Sequence, residues 1–125
     1  MAPIISCLTN SYGRFGVTAA VENLRSAEIE WIELPIRTVG VESPFGDEPL
    51  VTTESTPGDL QRFDDWLENH EIRVASCNVT SGNPLDPQVV AVTKQKLDLA
   101  RHFGVTLAVG GAGEAEDDES LATLY

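Results

Sequence analysis

Apolar residues recur at three- and four-residue steps in three stretches, and a short apolar run follows each. The fullest case lies between Asp86 and Gly104. There Val90, Thr93, Leu97 and Ala100 fall on one helix face, while Lys94, Lys96, Asp98 and Arg101 lie mostly off it. Asp86 can cap the free N–H groups of the helix start, and Pro87 suits the first helical position, where its missing N–H had no partner. Gly104, which enters the left-handed conformation without steric cost, marks the stop. The run Val105 to Val109 then predicts a strand apolar enough to be covered on both faces of a parallel sheet.

The same unit precedes it. Ile4, Ile5, Cys7 and Leu8 predict a first strand, followed by a polar, glycine-bearing loop over Thr9–Gly16 with Tyr12 and Phe15. Thr18 is placed to cap a helix running to about Ser26, with Val21 and Leu24 on its face and Ala20 and Ala27 close by. Glu30–Leu34 predicts strand two, and Pro35, lacking an N–H, marks its exit. Thr38–Ser55 reads as a long polar loop, a length that belongs either to a functional segment or to a decorated surface excursion. Thr56-Pro57-Gly58-Asp59 opens a second helix with a capping-box pattern. Leu60, Phe63 and Leu67 form its buried face, with Trp66 beside them and His70 in the last turn. Ile72–Val79 predicts strand three, ending in the polar cluster Asn78, Thr80, Ser81, Gly82 and Asn83. After Val109 come Gly110-Gly111-Ala112-Gly113, then five acids, and Ser120–Tyr125 opens a fourth helix. The acids complement its dipole or form a solvated loop. The order is β-α-β-α-β-α-β, which implies a parallel sheet with right-handed crossovers.

Composition narrows the partners. The 125 residues suffice for one modest domain, residues 1–125, and a hydrophobic content of 42% is that of a globular chain. Eight basic residues against 20 acidic ones give a net charge of −12, which disfavours a nucleic-acid backbone or an anionic membrane as partner. No apolar stretch approaches a membrane span. Met-Ala-Pro-Ile-Ile-Ser lacks the basic and apolar regions of a signal peptide, so a cytoplasmic location is expected. Two cysteines, Cys7 and Cys77, both inside predicted strands, do not make a disulfide framework and read as packing residues.

Candidate chemistry is sparse. His70 and His102 both fall near helix C-termini, where a protonated imidazole gains from the dipole, and neither belongs to a cluster of metal-ligand type. Glu33 stands out, because a carboxylate inside an apolar strand needs a partner or a role. Pairing with Arg37 at a partly exposed strand end is the plainer expectation. Four strands with three full helices, and a predicted helix with no C-cap at Tyr125, suggest the first half of a larger α/β protein. Two topologies fit, an eight-stranded barrel cut near its midpoint or a small doubly wound sheet. Gly13 and Gly16 do not complete a dinucleotide fingerprint, and no Lys-Ser/Thr follows Gly110–Gly113 as a P-loop needs.

Four segments carry a resemblance: Ile5-Ser-Cys-Leu-Thr-Asn10, Ala27-Glu-Ile-Glu-Trp-Ile-Glu-Leu34, Ile72-Arg-Val-Ala-Ser-Cys77 and Lys96-Leu-Asp-Leu-Ala-Arg-His-Phe-Gly-Val-Thr-Leu-Ala-Val109. In these the chain resembles the amino-terminal half of the xylose-isomerase-like barrel family, the sugar phosphate isomerases and epimerases. The resemblance implies an α/β fold that is the N-terminal half of a (β/α)8 TIM barrel, four parallel strands alternating with helices, with its site at the strands' C-terminal ends. It implies a divalent metal of the Mn, Mg or Co type in the full-length parent, bound by Glu, Asp, His and Glu of later strands, and proton transfer through an enediolate. No position here matches those ligands, so no catalytic residue is assigned and this chain alone is expected to bind no metal and to be inactive. The rim that can be placed is Thr9 and Asn10, Leu34, Cys77 and Asn78, Gly110 and Gly111. With Glu33, these residues would shape one wall of a pocket for a sugar or sugar phosphate.

Two other functions remain open. A half-barrel with bare strand edges at Ile4–Leu8 and Val105–Val109 can serve as an assembly module, forming a homodimer or pairing with a C-terminal half-barrel. A small α/β domain could instead bind a phosphorylated ligand at Gly110–Gly113.

Overall fold

A computed structural model describes residues 3–124. Met1 and Ala2, with which the targeting argument begins, and Tyr125, the last residue of the predicted fourth helix, lie outside the described residues. The strands are β1 (Ser6–Leu8), β2 (Trp31–Pro35), β3 (Arg73–Asn78) and β4 (Ala108–Val109). The helices are α1 (Gly16–Leu24), α2 (Pro57–Asn69), α3 (Pro87–His102) and α4 (Asp118–Leu124). All strand pairs are parallel and the order is β1-β2-β3-β4. This sequential order contains no reversal, so the sheet has no switch point of the doubly wound kind among the described residues. Right-handed crossovers between consecutive neighbours put the connecting helices on one face. Strand parity agrees: Ile32, Leu34 and Ile36 are buried with α1 and α2 residues, whereas Trp31 and Glu33, between them, are partly exposed. No helix among the described residues is long and apolar enough to cross a membrane.

The repeated helix-to-strand step has a common mechanism. Glu28 and Glu71 adopt left-handed backbone (φ 60° and 56°), as does Gly104 (φ 65°). The N–H of each bonds back three residues, Glu28 to Arg25, Glu71 to Glu68 and Gly104 to Arg101. In the first two, the next residue closes the turn, Ile29 N–H to Leu24 O at 3.1 Å and Ile72 N–H to Leu67 O at 3.0 Å. This Schellman arrangement satisfies the free carbonyls of the helix end and turns the chain into the next strand.

α2 forms as its sequence implies. Thr56 and Asp59 exchange the two bonds of a capping box, and Leu60, Phe63 and Leu67 are buried. α1 begins at Gly16, two residues before Thr18, which makes no cap; the preceding Thr9–Phe15 is wound in 3-10 turns kinked at Gly13 rather than left as open loop. The stripe expected on α3 is displaced. Lys96 and Ala100 are its buried residues, Leu97 is exposed, and Leu99 and Phe103 pack against the core. Phe103 meets Phe63 edge-on at 5.9 Å, joining α3 to α2. β4 is shorter than Val105–Val109, and its residues are exposed rather than covered on both faces. Ile4 and Ile5 precede β1 and are also exposed.

The 38–55 segment returns to the sheet. Arg37 N–H donates to Val51 O and Thr53 N–H to Arg37 O, Val51 is buried, and α3 reaches the segment through Gln95 Nε2 to Thr53 O at 2.6 Å.

Glu71 carries a Cβ in a conformation that disfavours one. Its ion pair with Arg25, at 3.7 Å and exposed, offsets little of that cost. Glu71→Gly is therefore expected to raise unfolding stability by about 0.5–1 kcal/mol, read as the midpoint of urea denaturation, whereas a loss would show that the side chain's contacts outweigh its backbone strain.

Candidate functional site at the carboxyl ends of β2 and β3

Glu33 lies on the uncovered parity of β2. A register shift between Ile32 and Glu33 leaves Ala75 unpaired and sets Ser76 opposite Glu33, with Asn78 opposite Pro35. Such bulges re-aim side chains. Here the shift brings two hydrogen-bonding groups to one carboxylate. Ser76 Oγ donates to Glu33 Oε2 at 3.1 Å, and Asn78 Nδ2 makes a longer contact to Oε1 at 3.5 Å. The expected Glu33–Arg37 pair does not form. Arg37 instead bonds Asn10 Oδ1 at 2.9 Å and pairs with the buried Asp47 at 3.5 Å, while Ser43 donates to the same carboxylate.

The cluster continues through the strand ends. Asn78 Oδ1 accepts from Thr80 N–H at 3.1 Å, and Thr80 O accepts from Lys96 Nζ at 2.7 Å. Lys96 is 2% exposed. None of the ion pairs among the described residues includes it. Burial, and secondarily the charge of Arg37, lowers its pKa to about 8. Lys96 and Arg37 line a cavity of about 320 Å³ between the 38–55 segment and the start of α3. Sequence periodicity missed Lys96 because a charge was assigned to the wet face. The alternative stripe Val89, Val92, Thr93, Lys96, Ala100, Phe103 keeps helical spacing and is the signal that could have found it.

The other rim residues separate. Leu34 and Cys77 are opposite one another in the register but belong to the covered parity and are fully buried. Burial, then the charge of Glu33, pushes the Cys77 thiol up to about 12, and burial also raises that of Cys7, so both are poor nucleophiles. Thr9 is buried and its Oγ1 has no hydrogen-bond partner. Asn10 holds Arg37. Gly110 and Gly111 follow β4 and are exposed, with a Cβ at either position making only ordinary contact with Val79 or Thr80. Gly113 is different: a Cβ there would meet Pro84 Cδ at 2.6 Å and Asn83 Oδ1 at 2.7 Å. The glycine run thus closes onto residues 83–84, and the adjoining hollow is lined by Asp86, Glu114, Glu116 and Asp117, which repel a phosphate. The histidines serve contacts between and within helices: His102 meets Asp64 of α2 at 2.6 Å, and His70 Nδ1 lies 2.8 Å from Trp66 O.

Among the described residues, no three His, Cys, Asp or Glu side chains form a metal-holding group. Glu33 has neutral Ser76 and Asn78 beside it, and a divalent ion requires several oxygen or imidazole ligands. These residues do not by themselves fit such an ion. Another hollow, of about 550 Å³, lies at the opposite end of the sheet, where Arg25 is paired with Glu30 and Glu71. No protein-family model, curated protein or solved structure matches this chain.

Lys96 generates a pH prediction. Between pH about 8 and 10.5 the unfolded chain keeps a Lys96 proton that the folded chain has released, so this residue's contribution to stability rises with pH across that window. Cys77 acts oppositely between 9.0 and about 12, where the folded chain keeps a thiol proton the unfolded chain has lost. Lys96→Met should therefore be more stable than the parent at pH 7, by on the order of 2 kcal/mol, and the difference should shrink by pH 9. Urea titrations of both proteins at each pH check this, and a constant difference would contradict it.

Proposed function

We propose that this chain supplies the first four β/α units of a (β/α)8 barrel, and that the assembled barrel is a sugar or sugar-phosphate isomerase or epimerase of cytoplasmic carbohydrate metabolism. The observation that carries the reading is the Glu33–Ser76–Asn78 cluster at the carboxyl ends of a sequentially ordered parallel sheet, where Ser76 is buried and Glu33 and Asn78 are half-buried. Barrels of this class hold substrates at that end. Two free thiols support the reducing compartment.

The chemistry suits a polyol. The Glu33 carboxylate accepts hydrogens from substrate hydroxyls, and Ser76 and Asn78 each both donate and accept. A site built to hydrogen-bond a hydroxyl discriminates strongly against an analogue that lacks it. In this reading, the enediolate proton transfer and the divalent ion of the family resemblance belong to strands beyond these four, and the chain alone has no turnover. Chemical-shift titration of the isotopically labelled chain with D-fructose should move the Ser76 and Asn78 amides saturably, and Glu33→Gln should weaken the effect about tenfold. Shifts confined to other regions, or metal-dependent ketose isomerisation by this chain alone, would refute the reading.

An assembly role is the second reading, favoured by the exposed edge strand β4 and by Leu107 and Val109 beside the uncovered face. Bare edges and apolar faces recruit further strands, from a second copy or from a C-terminal half-barrel. Light scattering should then report concentration-dependent dimerisation that Val109→Lys suppresses. A strict monomer at the highest soluble concentration removes self-pairing.

A further inference from the structure

We propose that the cavity between the 38–55 segment and the start of α3 is a binding site for the phosphate group of a small phosphorylated molecule, held by Lys96 and Arg37. The inference goes beyond the polyol reading of the uncovered face and does not rest on it.

The chain has eight basic residues against 20 acidic ones, yet two of its cations line one concavity. They are unequally neutralised. Arg37 has Asp47 beside it. Lys96 spends one of its three N–H donors on Thr80 O and has no carboxylate partner among the described residues. Arg37 Nε is likewise buried without a hydrogen-bond partner. A buried ammonium without a counter-ion is costly, and an anion entering the cavity removes that cost while engaging donors that are otherwise idle. The bond to Thr80 O satisfies one donor of the ammonium group but leaves its charge without a counter-ion among the described residues.

The remaining walls fit a small organic phosphate rather than a bare carboxylate. Arg and Lys together supply the fork and the point charge that phosphate oxygens accept. Thr38 brings a hydroxyl, Ser81 donates its own to Val79 O at 2.8 Å, and Val89 and Val92 give apolar surface to the organic part. A volume of about 320 Å³ suits a ligand of that size. Two acids also reach this cavity. Asp86 is engaged as the cap of α3, its Oδ1 accepting from Gln88 N–H at 2.8 Å, while Glu42 is exposed on the rim. Glu42 therefore competes with the anion, which makes a second and opposite prediction possible.

Inorganic phosphate and glycerol 3-phosphate are titrated into the labelled chain at pH 7 and constant ionic strength, with chloride as the control. Saturable shifts of the Ser81, Gly82 and Lys96 amides are expected, with the ester binding more tightly than inorganic phosphate if the apolar wall contributes. Lys96→Met, which removes a buried charge and so keeps the fold, should weaken binding about tenfold or more, and Glu42→Gln should strengthen it. Binding that is unchanged in Lys96→Met, that maps to Gly110–Gly113, or that chloride reproduces would overturn the proposal. D-fructose binding at Glu33 is read separately, so either site can fail without the other.

Discussion

The handedness of the β-α-β crossover governs this molecule. Parallel neighbours taken in sequence order, each reached by a right-handed connection, place α1, α2 and α3 on one side of the sheet. The strand parity then divides the chemistry. Ile32, Leu34, Cys77 and Val79 point into the helix layer and make the core, while Trp31, Glu33, Ser76 and Asn78 belong to the other face. One extra residue, Ala75, sharpens the division by bringing Ser76 rather than a methyl group opposite Glu33.

Most of the scaffold was legible from local rules. The capping box at Thr56, the Asp86-Pro87 start of α3 and the helix-to-strand steps before Ile29, Ile72 and Val105 depend on contacts within a few residues, so the sequence carries them directly. What escaped depends on tertiary context. Thr18 looked like a cap, but α1 opens two residues earlier at Gly16, whose positive φ of 66° turns the chain out of the Thr9–Phe15 turns and into the helix. Val105–Val109 looked doubly covered, yet β4 is an edge strand with only β3 beside it.

The site divided in the same way. Glu33 was recognisable as a carboxylate out of place, but its partners come from the register with β3, which no pattern along one strand reveals. Cys77 sits at the end of strand three, where the barrel resemblance places the rim, but parity turns it to the opposite face. Lys96 was hidden by its own charge. A single lysine interrupts an otherwise continuous stripe, so periodicity moves to Leu97, and the helix docks with the cation inward because Thr80 O meets its ammonium group. Through Thr80 and Asn78 this buried cation is linked by hydrogen bonds to Glu33, so the two halves of the site share one backbone turn at the end of β3.

The division of β2 into a covered and an uncovered parity can be measured residue by residue. Single cysteines at Trp31, Ile32, Glu33 and Leu34 are exposed to a water-soluble maleimide in dilute native protein, and modification is read for each position by mass spectrometry. A singly wound sheet predicts alternation, with labelling at 31 and 33 and protection at 32 and 34. Equal protection at all four positions, or the reverse parity, would contradict it.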